Sequence, residues 1–384
     1  MHIAICVHGR FSAFGIATGF MELGEDVTVY TNYPRWVLPR FGIPTRHVKS
    51  LLVHGVATRL LHRAGLDQHD TVEAIVKKAF GRWVASQTRG RRYDAIDCWS
   101  GCAEEAFIST DACKVLTRSS AHIQVQSDLL KAESERAGVR VDQPGEWIIE
   151  RELREYSLAD VIVVPSMFAA STFAGTPNAA KVRSVPLTAA GDRWRPDSAV
   201  VDERLRRITS RNTLRVLYVG AVSHRKGILD LLAMARARPD MEFRLVGGIQ
   251  PECRALMGHA GSNVRSDGHV VESDLRSAYA WADIFFFPSI EDGFGVVLAQ
   301  AQASAVPFVS TRNTGAPDLL QMGGRGWVVD VRDRAAMLER LQYCDENREE
   351  LAEMVRQLYA APIRRSWKDV AFDELAAMKS FPRA

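Results

Sequence analysis

Pro288-Ser289-Ile290-Glu291-Asp292-Gly293-Phe294-Gly295-Val296-Val297-Leu298-Ala299-Gln300 follows the apolar run Ile284–Phe287, and its reading decides the fold. Four consecutive apolar residues ended by a turn read as a buried parallel strand. Gly293 and Gly295 make the turn, and Val296, Val297, Leu298, Ala299 and Ala301 begin a helix. A strand, a glycine turn and a helix start form an anion site. Free N–H groups and the positive end of the helix dipole converge there. The acidic pair Glu291-Asp292 stands where it can also bind hydroxyls. A site taking phosphate and polyol together suits a nucleotide sugar. The same segment alone fits a plain strand–helix connection equally well.

The pattern recurs along the chain, which argues for parallel sheets. In the first half, strands read at 3–7, 27–31, 95–99, 115–118, 161–164 and 182–185. Helices read at 72–87 and 146–158, the latter started by Pro144 and Gly145. In the second half, strands read at 215–219, 243–246, 263–265, 284–287, 308–311 and 327–329, with closing helices at 348–359 and 367–378. A polar, proline-containing stretch at 189–212 reads as a linker. The expected class is α/β, with two doubly wound parallel-sheet Rossmann-like domains facing across a cleft. The first spans 1–188 and the second 213–365, with a helix at about 366–384 packing back on the first. Ligands in such sheets lie at the carboxyl ends of the strands.

The 384 residues suit two domains. Hydrophobic content of 47% and 25% charged residues are ordinary for a globular enzyme. No apolar run reaches membrane-span length, and the N-terminus enters a strand without a signal-peptide layout. The six cysteines show no pairing framework. They read as reduced, buried thiols of a cytoplasmic protein, with a metal site around Cys98, Cys102 and Cys113 as the alternative. Net charge is only +3, yet residues 27–66 contain no Asp or Glu. Arg35, Arg40, Arg46, Lys49, Arg59 and Arg63 alternate there with Trp36, Leu38, Leu52 and Leu60. Two readings stand. One is an anionic membrane surface, with the protein peripheral at the inner face; the other is a solvated face. No nucleic-acid-binding motif accompanies the charge.

Taken in order, these segments resemble the retaining nucleotide-sugar glycosyltransferases of the GT-B fold, family four. In the second half the resemblance rests on Val219-Gly220-Ala221-Val222-Ser223-His224-Arg225-Lys226-Gly227, Leu245-Val246-Gly247-Gly248, Gly268-His269-Val270 and the run from Asp292 to Gln300. In the first half it rests on His8-Gly9-Arg10-Phe11-Ser12, Ser119-Ser120-Ala121-His122 and the passage from Glu155 to Ser166. The resemblance implies an acceptor-binding first domain and a donor-binding second domain. It implies catalytic roles for His122, Arg225, Lys226 and Asp292. It places Gly9, Gly220, Gly247, Val270, Gly293, Phe294, Gly295, Val296 and Gln300 at the nucleotide sugar. Arg10, Phe11 and Ser120 fall toward the acceptor. His122 also fits a hydrogen-bonded core histidine, and Arg10 a solvent-facing one.

The chain departs from the family pattern in places. Glu is usual at both ends of the acidic motif, where this chain has Asp292 and Gln300; Ala221 stands where Arg is common. Gln300 can still hydrogen-bond a ribose, without the charge. Breaking a sugar–phosphate bond builds negative charge on the leaving diphosphate, which Lys226, Arg225 and the helix N–H groups can stabilise in place. No Asp-x-Asp occurs. The resemblance therefore implies a UDP- or GDP-sugar donor, no divalent metal and no other cofactor. The expected acceptor is a glycan or lipid-linked glycan in cell-surface polysaccharide or glycoconjugate synthesis. Two other functions stand against transfer. One is a non-catalytic nucleotide-sugar-binding or scaffold protein with a decayed site; the other is a nucleotide-sugar epimerase, whose carboxylates are not recognisable here.

Overall fold

The computed structural model describes residues 1–66, 69–189 and 191–380. Position 190 of the expected linker and 381–384 of the expected C-terminal helix lie outside the described residues. Two parallel sheets carry the chain. The first has the order β3-β2-β1-β4-β5-β6-β7, built from His2–Val7 (β1), Asp26–Thr31 (β2), Val48–Ser50 (β3), Ala95–Trp99 (β4), Cys113–Thr117 (β5), Val161–Val164 (β6) and Val182–Ser184 (β7). The second has the order β10-β9-β8-β11-β12-β13. Its strands are Arg215–Val219 (β8), Glu242–Val246 (β9), Val264–Ser266 (β10), Ile284–Phe287 (β11), Phe308–Thr311 (β12) and Gly326–Val329 (β13). In each sheet the strand order reverses once, between β1 and β4 and between β8 and β11. Ligand crevices open at such switch points, beyond the carboxyl ends of the strands. The segments starting at His8, Gly220 and Pro288 all leave from those ends.

The acid-free segment carries regular structure. It forms the edge strand β3 and the helix Leu52–Arg63. The expected linker also needs correcting, because Ser198–Thr209 is a helix packed on the second domain. Its arginines made it read as polar, yet Arg204 is fully buried. The Arg204 guanidinium donates to the carbonyls of Ser304 (2.9 Å), Ala305 (2.8 Å) and Tyr279 (2.8 Å). Arg207 pairs with Asp283. Desolvated cations persist inside when backbone carbonyls or carboxylates satisfy them.

The last helix, Trp367–Lys379, crosses back to the first domain and lies on Ala13–Glu22. Side chains at Gly15 or Gly19 would overlap Trp367. Beneath this contact Glu374 faces Asp97 of β4, both fully buried. Asp97 accepts from the Thr117 hydroxyl at 2.7 Å. Burial pushes the Asp97 carboxyl up to about 6. Burial, and then the Asp97 charge, pushes Glu374 well above its ordinary range. Both folded-state values are raised, so the pair's contribution is full below about pH 4, where the unfolded carboxyls are also protonated. It is lost as pH rises through 6 and beyond. Glu374→Gln, which carries no titrating proton, is expected to flatten the fall of Tm between about pH 4 and 8 and to melt several degrees higher at pH 8. Parallel Tm-versus-pH curves for the two proteins would contradict this.

Candidate functional site

The site assembles where the two switch points face each other. A cleft of about 1350 Å³ separates the domains. Ala221, Ser223, Arg225 and Lys226 line it from the second domain, with Gln124, Ser127, Lys131 and Glu146 opposite. After β8, the chain passes Gly220 at φ +150° and runs through the 3-10 turn His224–Lys226 to Gly227 at φ +77°. A side chain at 227 would overlap the Pro288 carbonyl, so this turn and the segment after β11 are pressed together. Only glycine combines that conformation with that approach.

The Lys226 ammonium sits 2.6 Å from Asp292 Oδ2 and 3.4 Å from the Glu291 carbonyl. Asp292 Oδ1 accepts from the N–H groups of Phe294 (3.2 Å) and Gly295 (2.9 Å). The next two amides, at Val296 and Val297, open the helix Val296–Ala303 and have no acceptor among the described residues. They remain the helix's anion-binding end. Burial alone would raise the Asp292 carboxyl, but Lys226 holds it below its usual range. At neutral pH the site therefore carries an ionised Asp292 against Lys226.

Glu291 is the residue that sequence reading undervalued. It is fully buried. Its carboxylate accepts from the Ser120 hydroxyl (2.7 Å), the Ala121 N–H (3.1 Å) and the Gln126 amide (3.2 Å), all in the first domain. It also pairs with Arg225 at 2.6 Å, and Arg225 donates to the Ser120 hydroxyl at 3.0 Å. Burial would raise this carboxyl, while Arg225 and then Lys226 bring it below its ordinary value. Gly293 packs so closely on Ser119 that a Cβ there would overlap the Ser119 carbonyl, and its own carbonyl accepts from Ser166 at 2.5 Å. Glu291 and Gly293 therefore join the domains at the edge of the cleft.

The other expected site residues divide. Gly9, at φ +109°, donates to Asn32 at 2.9 Å, and Gly247, at φ +146°, lies against the Gly220 carbonyl. Val270 is half-buried at the margin of the second core. Gln300 accepts from the buried Tyr279 hydroxyl at 2.9 Å. Arg10 stacks on Phe41, and Phe11 projects into solvent. His122 caps the helix Ile123–Ala137 by accepting from the Gln124 N–H at 3.3 Å. Its ring packs against Tyr156 and Phe173. Burial, then Arg118, lowers its pKa and keeps the ring neutral near pH 7.

Residues 213–347 match the family described as Glycosyl transferases group 1. The match covers most of the second domain. The chain is 29% identical over 195 residues to a GDP-mannose-dependent alpha-(1-6)-phosphatidylinositol monomannoside mannosyltransferase of Mycobacterium tuberculosis, covering 46% of this chain and 51% of that one. It is 33% identical over 153 residues to a D-inositol 3-phosphate glycosyltransferase of Corynebacterium kroppenstedtii, covering 36% of this chain and 34% of that one. The chain thus spans about half or less of the length of these relatives. Anabaena HepE in complex with UDP and glucose superposes with a TM-score of 0.69 at 15% identity, over 99% of this chain and 100% of that one. Sucrose-phosphate synthase of Thermosynechococcus elongatus does so with a TM-score of 0.69 at 17% identity, over 99% and 98%. The whole chain thus has the GT-B fold. Among the described residues no helix is long and apolar enough to cross a membrane.

Proposed function

We propose that this protein moves a sugar from a UDP- or GDP-sugar to a hydroxyl of a glycan or lipid-linked glycan, with retention at the anomeric carbon. The observation that carries the reading is the cationic turn, Arg225 and Lys226, lining the cleft beside the open amides of Val296 and Val297. Charge developing on a leaving diphosphate meets fixed donors there. In the proposed reaction the bond from anomeric carbon to phosphate oxygen breaks. The acceptor oxygen bonds to that carbon on the same face, and its proton passes to the leaving diphosphate. The names of the relatives support sugar transfer, and Anabaena HepE with bound UDP supports a nucleotide donor. Donor binding falls to the second domain and acceptor binding to the first.

The reaction is proposed to run without a divalent ion, since no Asp-x-Asp is present to bridge one to the diphosphate. Release of nucleoside diphosphate from UDP- and GDP-sugars by the purified protein is the test. Turnover is expected to persist in excess EDTA. Activity lost with EDTA and restored by magnesium or manganese contradicts metal independence. Tight donor binding with no turnover under any condition favours the scaffold reading.

The protein is further proposed to work at the cytoplasmic membrane face. Val53, Val56 and Leu60 form an exposed stripe on the helix Leu52–Arg63, in the acid-free region that also exposes Trp36. Basic residues near an anionic leaflet contribute about 1 kcal/mol each. Salt-sensitive cosedimentation with anionic vesicles is expected, and Arg35→Glu with Arg40→Glu should weaken it about tenfold or more. Vesicle binding untouched by the double substitution assigns the basic segment to a solvated face.

A further inference from the structure

The helix Ile123–Ala137 belongs to the first domain, yet the second domain grips it near both ends. At its start, Ser120, Ala121 and Gln126 hold Glu291. Between the grips, Gln124, Ser127 and Lys131 line the cleft. Near its end stand Glu133 and Arg136, opposite Asp230, Arg332 and Arg334 of the second domain. Glu133 and Asp230 are fully buried. The arginines are exchanged across the boundary. Arg136 donates to both Asp230 carboxylate oxygens, at 2.9 and 3.0 Å. Arg332 donates to Glu133 at 2.9 Å and to the Leu129 carbonyl at 3.3 Å.

Two features mark this network as a joint that can open. Each carboxylate also keeps an arginine of its own domain: Glu133 has Arg136 at 2.8 Å, and Asp230 has Arg334 at 2.7 Å. Separation of the domains returns both carboxylates to water already paired and strands no buried charge. Arg332 also holds φ +66°, a left-handed conformation costly for a residue with a side chain, between β13 and the helix Arg334–Glu346. Strain of this kind collects at clamps and switches. Asp230 lies in the first turn of the helix Ile228–Ala237, which begins directly after the turn of Arg225 and Lys226. Arg136 therefore holds the helix whose start carries the proposed diphosphate donors. The turn itself packs on Ile123–Ala137.

We propose that Arg136 and Arg332 are positioning residues. They latch the domains at the end of Ile123–Ala137 and so set the distance of the Arg225–Lys226 turn from the wall bearing Gln124, Ser127 and Lys131. The inference rests on the transferase reading, whose reacting groups the latch spaces.

Steady-state kinetics and small-angle X-ray scattering on the full chain, with and without UDP or GDP, test Arg136→Met and Arg332→Gly. Glycine adopts the backbone at 332 without strain, so that variant removes the guanidinium at no cost to local geometry. Each variant should lower kcat about tenfold, because small displacements between reacting groups are costly, with affinity for UDP or GDP unchanged. Each should also enlarge the radius of gyration. Arg340→Ala, whose pair with Glu339 stays on one helix, should change neither. A radius of gyration that stays constant in both variants overturns the proposal, as does a normal kcat once the radius has grown. A radius that grows in both variants of a protein with no turnover on any donor overturns the transferase reading instead and leaves the latch standing.

Discussion

Lys226→Ala is expected to lower sugar transfer about a hundredfold while leaving the fold intact. The ammonium lines the cleft, and its present partner is Asp292 Oδ2 at 2.6 Å. In the proposed transition state it faces a diphosphate gaining charge. Losing a charged donor aimed at developing charge costs about 3 kcal/mol, which is on the order of a hundredfold in rate. The ion pair with Asp292 is only partly exposed, so the variant also leaves a carboxylate short of a partner. Asp292 keeps its two backbone donors, and thermal stability should therefore drop by little compared with the loss in kcat. Steady-state kinetics on matched preparations decide the matter. Near-normal kcat would remove Lys226 from the chemistry.

Gly293→Ala is expected to have a comparable effect through geometry. A methyl group there meets the Ser119 carbonyl across the domain boundary and stops the Glu291 and Gly293 contacts from closing. A misplacement of about 1 Å between reacting groups can cost on the order of a hundredfold. The variant should bind bare nucleoside diphosphate within a few-fold of wild type, because the second domain is itself unaltered, yet transfer poorly. Gly258→Ala, where an added Cβ has open space, serves as control. Full activity in the Gly293 variant would mean that the closed contact plays no part in turnover.

The parallel sheets were legible because their strands are continuous apolar runs bounded by glycine turns, as in Ile284–Phe287 before Gly293. Legibility stopped where the burial pattern belies composition. Ser198–Thr209 reads as polar because its inward face carries Arg204 and Arg207, and only tertiary carbonyls and Asp283 make that face compatible with burial. The helix Leu52–Arg63 keeps Gly55 as its one buried residue, too little to mark a core-facing stripe. At the site, the cationic turn and the glycine turn were readable as local motifs. The bridging role of Glu291 was not, because its partner Ser120 lies 171 residues earlier in the chain. Sequence order also gave no sign that the His122 ring packs against Tyr156 and Phe173.

The return of Trp367–Lys379 to the first helix sets an order on biosynthesis. Val370, Ala371, Leu375 and Met378 belong to the same core as β1 and β2, whose residues leave the ribosome well before them. That core cannot be completed until the helix Trp367–Lys379 has been made. The second domain, continuous from Ser198 to the helix ending at Ala360, has all its parts in hand earlier. Vectorial synthesis thus favours a later-emerging second domain that folds ahead of the one begun before it, with the helix Trp367–Lys379 arriving after both as a keystone. Nascent chains arrested before Trp367 should expose the groove of Gly15 and Gly19 to protease, and chains extended past Lys379 should not.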